Sequence, residues 1–260
     1  DWQNGRILSV QMTPKGASYE CTYEVFVEGG PLNVCDLTFG PDGSMYFITG
    51  GRGSQSGLYR VRYTGSKTDA DQHEVFPQAE QAAAARALRH EMEFFHTHQD
   101  PRAVAIAWPH LGSSDVWLRH AARTAIERQD AGEWRDRALT EREPATAITA
   151  LLALARVAAP EDQDALLSSI GALPLEKLDR DHLLAALRVY ALTFIRQGCP
   201  DQSSVRGIAE RLDHMYPHAS GVVNQELCEL LVYLDAPNVL QETLKLLASA
   251  STQEEQIHYA

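Results

Sequence analysis

Two stretches of the chain hold side chains of the types that carry chemistry. The first is the glycine-rich run Gly50-Gly51-Arg52-Gly53-Ser54-Gln55-Ser56-Gly57, of the general kind that cradles phosphate. Its spacing is G-x-G-x-x-x-G rather than G-x-G-x-x-G, and a strand follows it, so no helix N-terminus points at an anion. Nor is it a nucleophile elbow, because Gln55 stands where G-x-S-x-G needs serine. The second stretch gathers His90, His96, His98 and Asp100. His96 and His98 cannot share one helix face, and no third ligand has the i, i+4 spacing of a metal site. Histidine at a helix C-terminus also has a plainer cause in the helix dipole. His214 and His218 are four apart, but Pro217 breaks the helix between them. Cys21, Cys35, Cys199 and Cys228 form neither C-x-x-C nor C-x-x-C-H, the spacings for zinc or covalent haem. They read as buried free thiols, with a Cys21–Cys35 bridge as the alternative if their strands lie side by side. No catalytic constellation and no metal site is expected in this chain.

The elements that must position these residues change type near Gly65. Before it lie short runs rich in Val, Phe, Tyr and Leu: Arg6–Gln11, Glu20–Val27, Val34–Phe39, Met45–Thr49 and Leu58–Tyr63. Thr13–Ser18 is a turn cluster, Pro41-Asp42-Gly43 reads as a tight turn, and residues 50–57 read as a long, flexible, polar loop. Arg6–Val10 and Gly57–Val61 align without gaps at a period of 51 residues, in the range of propeller blades. On that alignment the first two strands are the third and fourth of one blade, and the next three open the following blade. A fourth strand for that blade is missing after Tyr63, and the expectation is that a segment outside the chain supplies it. A free-standing five-strand sheet is the alternative.

After a polar, acidic stretch, Ala82–His96 has helical periodicity through Leu88, Met92 and Phe95. Pro101–His110, Ser114–Gln129, Pro144–Val157, Glu161–Leu173, Asp181–Gln197, Val205–Tyr216, Val222–Leu234 and Asn238–Ala248 continue the pattern, with breaks at Pro160, Pro174, Gly198-Cys199-Pro200, Pro217 and Pro237. Trp108, Trp117 and Trp134 fall among these helices, where packing is the default reading. Thr252-Gln253-Glu254-Glu255 is a capping box that starts one more helix. A chain opening straight into a strand and closing on a newly started helix is expected to be a fragment.

Composition narrows the classes. Of 260 residues, 44% are hydrophobic, enough for an ordinary core, and no run reaches the roughly 18–20 apolar residues that cross a bilayer. A net charge of −12 argues against a phosphate backbone as ligand, since counterion release needs clustered Lys and Arg.

Taken together, Asp36-Leu37, Gly40–Tyr46, Gly50–Gly53 and Gln55–Gly65 resemble the last propeller blade of membrane-bound dehydrogenase-like proteins, relatives of soluble glucose/sorbosone dehydrogenases. In that family the propeller is followed by HEAT repeats and then a c-type cytochrome domain. Leu118-Arg119-x-x-Ala122-x-x-Ala125-Ile126 resembles the second helix of a HEAT repeat, with Asp115 at the usual acidic position. Small residues at 122 and 125 let the next pair approach, while Leu118 and Ile126 fill the stacked core. In such arrays the Asp and Arg typically bond between repeats. Asn224–Leu227 and Leu230–Pro237 resemble the later repeats.

The resemblance implies a β-then-α chain: residues 1–65 the end of a β-propeller, 66–81 a linker, and 82–260 a HEAT-like α-solenoid. It implies an exported, periplasmic sugar or aldose dehydrogenase-type parent with a quinone cofactor and calcium, passing electrons to a downstream c-type haem. Arg52 and Gln55 would border the ligand face of the propeller. The helical surface would dock a protein partner or the parent's own cytochrome domain. The rival expectation is a non-catalytic HEAT scaffold, and a third is an accessory of polysaccharide degradation.

Overall fold

Alternation and turn chemistry build five strands at the start of the chain, and helical periodicity builds eleven α-helices among the described residues after them. A computed structural model describes residues 1–51, 53–65 and 79–260. The chain divides into two units, Asp1–Arg86 and Ala87–Ala260, with the division inside α1 (Ala79–Phe94). Most of the expected linker, and Arg52, lie outside the described residues.

In the first unit β1 (Arg6–Lys15) pairs antiparallel with β2 (Ser18–Glu28) in a two-stranded sheet. A separate antiparallel sheet has the order β3 (Val34–Phe39), β4 (Met45–Gly51), β5 (Ser54–Val61). The single five-strand sheet is therefore ruled out. Between β2 and β3 runs Gly29-Gly30-Pro31, whose proline has no N–H to offer a ladder. Gly5 helps hold the crossing: it takes φ 65° and accepts the Gly29 N–H at 3.1 Å, and a Cβ there would lie 2.5 Å from the Gly29 carbonyl oxygen.

Two of the three hairpin turns are tighter than the polar sequence suggests. The long loop expected at residues 50–57 is instead a two-residue connection, with Gly51 paired to Ser54. Gly51 (φ 102°) and Gly53 (φ 80°) adopt the left-handed backbone that reverses a chain this sharply, so the polar Ser54-Gln55-Ser56 run is drawn into the ladder. The β1–β2 turn likewise closes at Lys15 and Ser18 around Gly16, and Pro14 is tolerated because each strand of a two-stranded ribbon has a free edge.

The core of this unit is small. Ile7, Leu32, Met45 and Phe47 are buried, with Val27, Val34 and Val61 packed on them, and Phe47 stacks on Tyr59 at 4.8 Å. The β3–β4 turn is tied by Asp42, which accepts from Ser44 N (3.1 Å), Ser44 Oγ (3.0 Å), Tyr46 Oη (3.1 Å) and Arg60 Nη2 (2.6 Å).

The second unit is helical: α2 (Ala103–Ala107), α3 (Val116–Glu127), α4 (Arg135–Thr140), α5 (Pro144–Val157), α6 (Gln163–Gly171), α7 (Arg180–Gln197), α8 (Gln202–Asp213), α9 (Gly221–Tyr233), α10 (Val239–Ser249) and α11 (Gln253–Tyr259). Their starts follow from capping chemistry. Asp115, Glu143, Asp179 and Asp201 each accept backbone N–H groups of the first turn, and Thr252 and Glu255 form a reciprocal capping box. Proline opens α5, and Gly198 at φ 91° ends α7.

Helices α3, α5, α7 and α9 pack in succession, each on the next, while α2, α4, α6 and α8 each pack on the long helix that follows and α10 packs on α9. The shared interior is filled by fully buried Trp134, Leu111, Ile126, Leu151, Leu154, Leu166, Ile170 and Tyr190. No described helix is long and apolar enough to cross a membrane.

Candidate functional site

The residues expected to do work in the second unit sit on α3. Ala122, Ala125 and Ile126 are completely buried, and Leu118 is half-buried against the same core. Asp115 stands at the N-cap, accepting from Trp117 N at 2.9 Å and Leu118 N at 3.3 Å. Arg119 reaches back to the Ser113 carbonyl. The contacts described for this Asp and Arg thus brace the start of their own helix. Ion pairs between elements include Glu127, which joins Arg123 on α3 to Arg156 on α5 (3.0 Å), and Arg135, which holds Asp162 (2.5 Å). The Arg123–Glu127 spacing of four is readable in the sequence; its extension to Arg156, 29 residues on, is not.

His120, beside this network, is held below its ordinary pKa by burial and then by the Arg123 guanidinium. Arg211 clamps the end of α6, donating to the carbonyls of Gly171 and Leu173. It also approaches Tyr190, whose phenol is pushed up to about 12 chiefly by burial.

The histidine group has separate local duties. His90 Nδ1 meets Glu93 at 2.8 Å, His96 Nε2 meets the Ala121 carbonyl at 3.0 Å, and His98 Nδ1 meets the Phe94 carbonyl at 3.1 Å. Asp100 is paired with Arg102, whose hydrogen bonds pull its pKa down to about 2. Among the described residues no three His, Cys, Asp or Glu side chains gather as metal ligands would. The expectation of buried thiols is corrected: only Cys228 is buried, while Cys21, Cys35 and Cys199 are exposed. Cys21 and Cys35 stand in different sheets and are free thiols, so no bridge joins them. Of the tryptophans, Trp108 and Trp134 are core residues, whereas Trp117 is exposed.

In the first unit Gln55 lies on β5 and is exposed, not on a loop; Arg52 lies outside the described residues. At the end of β4 Trp2 Nε1 donates to the Gly50 carbonyl at 3.1 Å, and Asn33 Nδ2 donates to the Trp2 carbonyl at 3.0 Å. Strand pattern missed this clasp, because Trp2 precedes any periodic segment. The larger feature is a cleft of about 590 Å³ lined by Ile7, Phe26, Leu37, Phe39, Met45 and Val61, among others. Val10, Tyr23, Val25, Leu58 and Tyr59 on the same small sheets are exposed as well.

The second unit has a cleft of about 330 Å³ lined by Asp164, Tyr190 and Arg211 among others, and two more. One of about 610 Å³ lies where α8 meets the α9–α10 turn, and its charges are mixed: Glu210, Asp213 and Asp235 with Arg206 and His214. The other, about 200 Å³, lies between α7 and α9. Neither brings a nucleophile, a base and an orienting group together.

Comparison of the chain with known protein families, with curated proteins and with solved structures gives no match.

Proposed function

We propose that this chain is the connector of an exported, multidomain oxidoreductase-like protein, joining the end of a β-propeller to an α-solenoid of HEAT-like repeats. The observation that carries this reading is the condition of the two sheets. They are short, antiparallel and sequential, and they split as two strands plus three. They also expose large apolar side chains such as Tyr23, Phe26, Phe39 and Leu58. Sheets of this kind are stable when further sheets cover them, which is how propeller blades meet. Leu58 and Tyr59, in the repeated word that aligns with Arg6–Val10, are among these open residues. The succession α3, α5, α7, α9 with a shorter helix beside each supports the repeat reading.

The dehydrogenase part of the proposal rests on the resemblance of residues 36–65. In the parent, a sugar or aldose would be oxidised in the propeller with a quinone cofactor and calcium, and electrons would pass to a c-type haem. Residues 1–260 carry no C-x-x-C-H, and in this proposal those groups are held by other parts of the parent. This chain's share is to connect, and to offer the helical surface to a protein partner or to the cytochrome domain. Arg52 and Gln55 remain the proposed border of the ligand face.

The test is spectroscopic. The protein extended on both sides should show a haem band that an aldose reduces, and Arg52→Ala should slow that reduction without changing helical content. A second reading, a plain binding scaffold, is favoured by the acid-edged cleft between α7 and α9. A haem that answers no aldose, in a protein whose helical unit still binds a partner, would decide for the scaffold.

A further inference from the structure

From the cleft between α7 and α9 we infer a docking site for a basic, partly apolar protein segment. This deepens the scaffold role of the helical unit and rests on it. The floor is apolar: Phe194 is buried and stacks on Tyr233 at 5.2 Å with the rings 17° apart, and Ala191 and Leu230 complete it. One edge is Ile195, 71% exposed, with half-exposed Tyr233 near it. Water gains nothing from these groups, and burial would stabilise them by roughly 25 cal/mol per Å².

The charges on the cleft are of one sign. Glu226 and Glu229 line it, and no Lys or Arg does. Neither carboxylate has an ion-pair or hydrogen-bond partner among the described residues, although Glu226 is half-buried. Most other carboxylates that are drawn in this far, Asp100, Glu127, Glu141 and Asp162 among them, are bonded to a guanidinium, an indole or backbone N–H groups. Two unpaired acids beside a stacked aromatic pair match an arginine, whose planar head takes carboxylate and ring together while its stem lies on apolar surface.

The volume selects the class of occupant. At about 200 Å³ the cleft is smaller than the few hundred Å³ of a small-molecule pocket, and it takes single side chains. The open Ile195 edge extends the contact along α7. An amphipathic segment with arginines flanked by leucines satisfies both the acids and the apolar edge.

The experiment uses the full 260-residue chain and fluorescence anisotropy. The probe is a short fluorescein-labelled peptide carrying arginines and leucines on one helical face; its counterpart has glutamates for the arginines. The basic peptide should bind saturably and the acidic one should not. Glu226→Gln with Glu229→Gln should weaken binding about tenfold, and Ile195→Ser several-fold. Both changes lie at the surface, and an unchanged helical circular dichroism signal will establish that the variants are folded. Equal binding of both peptides, or full binding by the double variant, overturns the site. If the acidic peptide alone binds, the site falls while the scaffold reading stands. If neither binds, the site falls, and the scaffold reading then depends on the extended protein alone.

Discussion

The two units reach stability in opposite ways. The helical unit holds a large interior, with Trp134, Tyr190, Leu154 and Ile170 out of contact with water. The β unit has four buried apolar side chains at its centre and leaves Phe39, Leu58 and Tyr23 open. Small sheets bury too little area to offset chain entropy alone, so their exposed faces are where further contacts would be made. The difference teaches where function should be sought: in the first unit along its open faces, in the second within discrete clefts.

The contrast can be broken by substitution. Truncating the helical core should cost most: Leu154→Ala should lower stability by about 2–5 kcal/mol, read as a lower denaturant midpoint of the helical signal. An unchanged midpoint would mean that the α5 interior is not packed as described. Overfilling it should cost less. Ala122, completely buried on α3, replaced by Leu should cost about 1–3 kcal/mol through displaced neighbours.

A pH titration probes the same interior. Tyr190 has a folded pKa raised to about 12 by burial, above the unfolded value of about 10. Its contribution is therefore complete below about pH 10 and is lost as pH rises from there toward 12. Tyrosinate absorbance in the wild type should show a late phase that Tyr190→Phe lacks, and coincidence of the two curves would refute the burial.

The β unit should respond least. Leu58→Ser and Phe39→Ser change exposed side chains and should move stability by no more than about 0.5 kcal/mol. A large destabilisation would show that these faces are already covered in solution, which would erase the contrast between the units.

Much of the architecture was legible. The switch from period two to period 3.6 separates strands from helices, and Thr252 announces a helix start through its capping box. The helix α4 was not legible, because six residues carry too little periodicity to distinguish them from a loop. The turn at Gly51–Ser54 was misread, since Ser and Gln signal a loop until two left-handed glycines close the hairpin on them. Exposure of Cys21 and Cys35 escaped for a related reason: a thiol's burial depends on what lies across its sheet, and here little does.

The sequence by itself determined element type, helix caps, acidity and the absence of a C-x-x-C-H motif, all properties of neighbours along the chain. Only the tertiary structure decided that Glu127 meets Arg156, that Phe194 stacks on Tyr233 beside Glu226 and Glu229, and that five strands divide into two sheets. The two helix-to-helix contacts join residues 29 and 39 positions apart. They are set by how helices and sheets pack, and no local propensity encodes that packing.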